Sequence, residues 1–186
     1  AQSVRVVRAC GGVRWRGGPV VGAGGVGGPE VAVCDRWAVP SARILSPLVG
    51  RFPTLPVVLE HVTSRQGVAF VAGTHPRVAA TITPHHLMIN RNAMFAGGIR
   101  PHYYCLPVAK REVHRRALCE AATSGNPKFF LGTDSAPHTN AAKESACGCA
   151  GVYNAATALA CYAQVFDDMD KLDRLADFAS TFGAAF

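Results

Sequence analysis

The run FLGTDSAPH at residues 130–138 contains two side chains that are suited to catalysis. Its apolar start predicts a short buried strand, and Gly132 lets the backbone turn, so that Asp134 falls where the strand leaves the core. A carboxylate there can bind a metal ion and transfer protons, and His138, behind a rigid Ala-Pro pair, can hold a substrate. The alternative is that Asp134 or Ser135 only caps the next segment. We favour a site, because acids at strand ends in α/β barrels are often functional.

A second histidine, His61, occupies a similar position after an earlier apolar run at 55–59. In a barrel of parallel strands, His61 and Asp134 would both point into the same mouth. Imidazole and carboxylate are ligands that zinc uses in hydrolytic sites, although two ligands alone make a weak site. On composition alone, His61 could equally be a histidine that is hydrogen-bonded to a neighbouring loop.

Strand and helix patterns alternate from Pro29 onward. The apolar runs that predict strands lie at 55–59, 78–83, 103–106 and 129–131. Amphipathic patterns predict helices at 110–124, stopped by Gly125, and at 155–166 and 170–182. This alternation predicts an α/β fold with a mainly parallel sheet and functional loops at one end. A whole eight-stranded barrel needs about 250 residues, so we expect only a partial TIM (β/α)8 barrel.

Composition narrows the class of protein. The chain has 186 residues, of which 49% are hydrophobic, and seven cysteines without the spacing of a disulfide framework, which indicates reduced thiols inside a cell. The formal net charge of +7 is scattered, and its cluster at 110–116 is interrupted by Glu112. A solvated helix face therefore explains that cluster better than nucleic-acid binding does. No stretch is typical of a membrane span or a secretory signal.

Residues 1–28 differ from the rest of the chain. They contain nine of the 19 glycines, four arginines, no acid and no hydrophobic periodicity. Such a segment cannot bury enough apolar surface to offset its ordering entropy. We therefore expect residues 1–28 to be disordered or mistranslated, and residues 29–186 to form the folded part.

Five blocks of sequence resemble one enzyme family in order and in spacing. They are EHVTS at 60–64, TITPHHLMINRN at 81–92, GGIRPHYYCLPVAKR at 97–111, FFLGTDSAPH at 129–138 and KESACGCAGVYNA at 143–155. They resemble the homodimeric bacterial and plant type of dihydroorotase, in the amidohydrolase superfamily. The resemblance implies a metallo-dependent hydrolase barrel with two zinc ions per subunit. It also implies an enzyme of pyrimidine biosynthesis that interconverts N-carbamoyl-L-aspartate and L-dihydroorotate, with residues 29–186 as the central and C-terminal part of the barrel.

The resemblance also implies roles for individual residues. His61 matches a ligand of the second zinc ion, and Asp134 matches the aspartate that ligates the first zinc ion and acts as general base and acid. His138 matches the histidine that binds the substrate carboxylate. Leu106 and Ala150 fall where the family contacts the pyrimidine ring, mainly through backbone groups.

Two further histidines stand in the block TPHHL. His86 looks like a ligand by composition, but the matching family position is not one, so that we expect a structural role behind the site. His85 has no motif support.

Several residues that the family needs have no counterpart here. The opening His-x-His strand and the carboxylated lysine that bridges the zinc ions are missing, and a further ligand histidine falls on Ala23. We therefore expect an internal piece that lacks both ends of the barrel and is inactive as it stands. The alternative is a catalytically inactive protein with a structural role. For the full-length protein the resemblance implies a homodimer with a small-molecule substrate, no nucleic-acid or membrane partner, and a cytoplasmic or organellar location.

Overall fold

A computed structural model of the chain describes residues 20–22, 32 and 45–186. The expectation for residues 1–28 thus lies outside the described residues, except that Val20–Gly22 form a strand, β1. The sequence pattern did not predict this strand. The division of the chain at residue 28 stays a prediction.

The described strands form one parallel sheet. In chain order they are β1, β2 (Val57–Leu59), β3 (Val78–Ile82) and β4 (Phe129–Leu131), and their order in space is the same. Each neighbouring pair is parallel. All four carboxyl ends therefore lie at one edge, as the alternating pattern predicts. Within the described part of the chain the sheet stays open, as in part of a barrel.

The predicted strand at 103–106 is wrong. Tyr103 ends a short 3-10 helix, Pro101–Tyr103, and the following residues form a loop. The physical reason is that Pro101 and Pro107 bracket this apolar run and lack the backbone N–H groups that a strand ladder needs.

The helices alternate with the strands. Their bounds are α1 Ser46–Arg51, α2 Arg65–Gly73, α3 Pro84–Met88, α4 Glu112–Ala122, α5 Asn140–Lys143, α6 Ala158–Asp168 and α7 Phe182–Ala185. Helices α4 and α6 confirm two predicted helices. The third, predicted at 170–182, is confirmed as a helical segment: a 3-10 turn at Leu172–Arg174 and a π-helical turn at Asp177–Thr181 lead into α7, and the junction residues Leu175, Ala176 and Phe182 keep helical backbone angles. None of the described helices has the length and apolar content to span a membrane.

The two faces of the sheet are covered by different layers. Alternating residues such as Val57 and Phe129 face the larger cluster, where Tyr162 and Phe166 are fully buried. The Tyr162 hydroxyl donates to the backbone oxygen of Ile82 at 2.7 Å, which fixes α6 against the end of β3. The opposite face carries a small cluster of Val58, Ala79 and Phe130, packed against Phe182 and Phe186.

Glu112, at the start of α4, makes the fold sensitive to acid. Its carboxylate accepts hydrogen bonds from Arg115 Nε at 2.8 Å and from Asn90 Nδ2 at 2.9 Å. These bonds, chiefly those from Arg115, lower the pKa of Glu112 from 4.5 to about 2. Because the pKa is depressed in the folded state, the stabilisation is present above pH 4.5 and is lost as the pH falls towards 2.

We therefore expect Glu112→Gln to destabilise the chain at neutral pH by about 1 kcal/mol, a value reduced for solvent screening of this partly exposed group. The difference should shrink as the pH falls and vanish near pH 2. Urea denaturation of both chains across this range measures it. Parallel pH profiles would contradict the role of this carboxylate.

Candidate active site

His61 and Asp134 meet at the carboxyl edge of the sheet. His61 follows β2 and Asp134 follows β4, with β3 between them. The Nε2 atom of His61 lies 3.8 Å from Oδ1 of Asp134. Both residues have a left-handed backbone, with φ of 55° and 44°. Side chains rarely adopt this region unless the surroundings hold them there, and such residues cluster at functional sites.

Thr81, on β3, holds both strand ends together. Its hydroxyl accepts a hydrogen bond from the backbone N–H of His61 at 2.9 Å. On its other side, a Cβ added at Gly132 would lie within 2.9 Å of the Thr81 side chain, so only glycine lets the end of β4 approach so closely. Thr81 thus brings the turns that carry His61 and Asp134 close together.

The pair fits a metal site by its donor atoms. The buried Nδ1 atom of His61 has no hydrogen-bond partner among the described residues, and its Nε2 atom also lies 4.0 Å from Oε2 of Glu60. An imidazole nitrogen and a carboxylate oxygen are ligands that zinc and similar ions take. The residues present therefore suit a metal ion, and the assignment of His61 and Asp134 as ligands stays a prediction.

Residues after β4 fix the turn at Asp134. The hydroxyl of Ser135 accepts hydrogen bonds from the backbone N–H groups of Asn154 at 3.1 Å and Ala155 at 2.9 Å. The Asn154 side chain donates to the backbone oxygen of Thr133 at 2.9 Å. The next helix, α5, is capped by Thr139 instead. Asp134 and Ser135 are thus not the helix cap that the sequence left open.

His85 belongs to the same edge, although the sequence reasoning gave it no role. It follows β3, and its Nδ1 atom accepts from Asn154 Nδ2 at 3.1 Å. Its Nε2 atom is buried without a partner among the described residues. Burial first, and the nearby His61 second, lower the pKa of His85 to about 4, so the ring is neutral. His85 stands just after the apolar run that predicts β3, and this position is the signal by which the sequence could have identified it as a site residue.

His86 is held as a structural residue. Because Pro107 O at 2.7 Å only accepts, His86 Nε2 must donate to it, and Nδ1 then accepts from the Thr83 hydroxyl at 2.6 Å. With His85 and Cys105, His86 forms a buried group whose ligand atoms lie within 4.8 Å. However, both nitrogens of His86 are used, and burial raises the pKa of the Cys105 thiol to about 11. This group is therefore a poor metal site.

The predicted substrate residues lie on adjoining loops. Nε2 of His138 is 3.1 Å from the backbone oxygen of Ala150. The backbone N–H of Gly151 donates to the oxygen of Tyr104 at 3.0 Å, which joins this loop to the one that carries Leu106. A cavity of about 290 Å³ opens here, lined by His102, Ala136, His138, Asn140, Lys143, Gly151 and Tyr153. Their roles toward a substrate stay predictions.

The sequence is similar to curated dihydroorotases. It is 62% identical to the dihydroorotase of Aromatoleum aromaticum over 157 residues, which cover 84% of this chain and 46% of the relative. It is 61% identical to that of an Azoarcus species over 163 residues, which cover 88% of this chain and 47% of the relative. The chain therefore spans about half the length of the curated relatives it matches. No family model matches it.

Solved structures of dihydroorotases share the fold. The enzyme from Saccharomyces cerevisiae, in complex with 5-fluoroorotic acid, superimposes with a TM-score of 0.78 at 35% identity, over 87% of this chain and 46% of that chain. The enzyme from Campylobacter jejuni gives a TM-score of 0.79 at 33% identity, over 90% and 46%. A D-hydantoinase, at 18% identity and a TM-score of 0.66, shares the fold alone. The predicted resemblance and the partial α/β barrel are both confirmed.

Proposed function

We propose that this chain, as a relative of dihydroorotases that spans about half their length, carries part of the active site of a dihydroorotase. The reaction is the interconversion of N-carbamoyl-L-aspartate and L-dihydroorotate. The observation that carries the proposal is the pair of His61 Nε2 and Asp134 Oδ1, 3.8 Å apart at the carboxyl edge of a parallel sheet. These are the two positions that the family blocks assign to metal binding.

His61 and Asp134 would hold zinc in this proposal, together with the further ligands that the family resemblance implies. When bound, zinc would lower the pKa of a water molecule and polarise the amide carbonyl of the ring. The neutral His85, and the Thr81 hydroxyl that accepts from the backbone N–H of His61, would support this edge without adding a positive charge beside the metal.

Asp134 would move the proton. In hydrolysis its carboxylate accepts the proton of the attacking water as the tetrahedral intermediate forms, and then delivers that proton to the departing amide nitrogen. In cyclisation these roles reverse. Ser135 and Asn154 hold the turn on both sides of Asp134, so the carboxylate is positioned before substrate arrives.

His138, Ala150 and Leu106 would bind the substrate. His138 would donate a charge-assisted hydrogen bond to the substrate carboxylate. Ala150 and Leu106 would contact the pyrimidine ring through their backbone groups. The contact between His138 and the Ala150 backbone supports a shared pocket for ring and carboxylate.

A second candidate is a catalytically inactive protein with a structural role. The observation that favours it is Ala23, which stands where the family resemblance expects a ligand histidine. For the full-length protein we keep the proposal of a homodimer in the cytoplasm or an organelle, acting on a small molecule.

A chimera tests whether the matched part of this chain supports turnover. In it, the matched stretch of the Aromatoleum aromaticum dihydroorotase is replaced by the corresponding residues of this chain. We expect the chimera to consume dihydroorotate, followed by loss of its ultraviolet absorbance, and the 186-residue chain to show no turnover. A folded, zinc-loaded chimera without activity would argue for the inactive protein, and turnover by the chain alone would show that its ligands were miscounted.

A further inference from the structure

Lys143 is a buried lysine whose ammonium group is surrounded by backbone carbonyls. It ends helix α5, and its side chain is almost fully enclosed. Its Nζ atom donates to the oxygens of Tyr104 at 2.9 Å, Cys149 at 2.7 Å and Gly151 at 2.8 Å. An ammonium has three N–H donors, so these carbonyls use all of them.

The three carbonyls belong to the two loops that carry the predicted ring contacts. Tyr104 precedes Leu106 in one loop, and Cys149 and Gly151 flank Ala150 in the other. One buried charge therefore joins both loops at a point next to the ring contacts. Hydrogen bonds from a charged donor are about twice as strong as neutral ones.

The loop around Ala150 needs such support, because its backbone is strained. The strain lies at Cys149, which has a φ of 23°, whereas its neighbours Gly148 and Gly151 are glycines that adopt positive φ without cost. Positive φ at a non-glycine residue costs free energy and persists only where the surroundings hold it. Without the ammonium, the oxygens of Cys149 and Gly151 would lose this donor, the oxygen of Tyr104 would keep only the N–H of Gly151, and the converging carbonyls would repel one another.

We propose that Lys143 is a positioning residue that holds the loops of Leu106 and Ala150 at the separation that ring binding requires. We call the three hydrogen bonds from Lys143 to these loops the clamp. Its existence rests on the contacts of Lys143, whereas its purpose rests on the proposed function. Lys143 acts through the backbone of the two loops, because their carbonyls take all three of its N–H donors.

The test is Lys143→Met in the 186-residue chain. Methionine keeps the length of the side chain but removes all three donors. We expect the rate of alkylation of Cys149 by iodoacetamide to rise about tenfold or more, because the loop then opens more easily. Cys147, already exposed, serves as the internal standard, and the buried Cys105 and Cys119 report global unfolding. Peptide mass spectrometry measures each rate.

Lys128→Met is the matched control. Lys128 also donates to two carbonyls, those of Val71 at 2.8 Å and Thr74 at 2.5 Å, but it precedes β4 at the opposite end of that strand. Its loss should lower stability and leave the ratio of Cys149 to Cys147 labelling unchanged. An unchanged ratio in Lys143→Met, or an equal rise in both variants, would overturn the role of Lys143.

A second variant covers the case in which Lys143→Met does not fold. Lys143→Gln keeps two N–H donors without the charge, so it should raise the labelling ratio less than methionine does. Should Cys105 and Cys119 become reactive in the methionine variant, the glutamine variant decides, and an unchanged ratio there overturns the proposal.

Kinetics in the chimera test the purpose of the clamp. Lys143→Met should raise KM about tenfold with a smaller change in kcat and unchanged zinc content, because ring binding is lost and proton transfer is not. A fall in kcat at constant KM would overturn the positioning role. If the chimera were inactive but Lys143→Met still raised the ratio of Cys149 to Cys147 labelling, the proposed function would be overturned and the clamp would stand.

Discussion

Asp134→Asn is expected to lower kcat of the chimera by about a hundredfold to ten-thousandfold, the range over which a positioned acid or base contributes. Asparagine has the same shape and keeps one oxygen toward the metal, but its amide cannot accept a proton at neutral pH. Steady-state turnover of dihydroorotate measures the effect, together with zinc content by atomic emission. Retained zinc with lost turnover would separate proton transfer from metal binding.

Asp168→Asn is the matched control for this change. Asp168 ends α6 and accepts a hydrogen bond from Gln164 Nε2 at 2.8 Å on the exposed surface. The same loss of charge there should leave turnover within about twofold, since a surface pair contributes little. If Asp134→Asn kept turnover close to that of Asp168→Asn, Asp134 would not be the base.

The sequence could predict His61 and Asp134 because each depends on a local pattern. An apolar run predicts β2 and another predicts β4, and each is followed by a polar residue at its end. The alternation of strands and helices indicates parallel strands, which brings the ends of all strands to one edge. The contact between His61 and Asp134 then follows from topology, although its distance of 3.8 Å does not.

A local pattern misled where prolines intervene. The aromatic run at 103–106 resembles a strand, but Pro101 and Pro107 remove the donors that a ladder needs. The periodic run at 170–182 predicts one helix, and the chain is helical there, although its turns are 3-10 at Leu172–Arg174 and π-helical at Asp177–Thr181. There Phe178 is fully buried against Tyr162 and Phe166, and a hydrophobic period does not specify whether such a segment has α, 3-10 or π hydrogen bonds.

Contacts between distant loops could not be predicted at all. The side chain of Asn154 contacts His85, which is 69 residues away in the sequence. Lys143 reaches the oxygen of Tyr104 across 39 residues. Neither contact produces a periodic pattern in the sequence. A lysine on a short polar helix is, moreover, typical of an exposed surface. Only the folded arrangement of the loops shows that this ammonium is buried.

His61→Asn is expected to reduce the zinc content of the chimera and to remove most of its turnover. Asparagine suits this position because it tolerates a φ of 55° better than most residues, so the loss of the imidazole is not confused with backbone strain. Losing a ligand should weaken metal binding by more than the about 10- to 100-fold that loss of an outer hydrogen-bond partner costs. Zinc content after dialysis against a weak chelator measures this.

His75→Asn provides the comparison for this histidine. His75 lies before β3, at the opposite end of the sheet, where its Nδ1 atom accepts from the backbone N–H of Arg77 at 3.2 Å. Its replacement should leave zinc and turnover unchanged. If His61→Asn also kept its zinc, then His61 would be the loop-bonded histidine that composition alone allowed, and the buried Nδ1 atom would need a protein or water partner instead. If His61→Asn loses its zinc and His75→Asn keeps it, then the imidazole of His61 binds the metal.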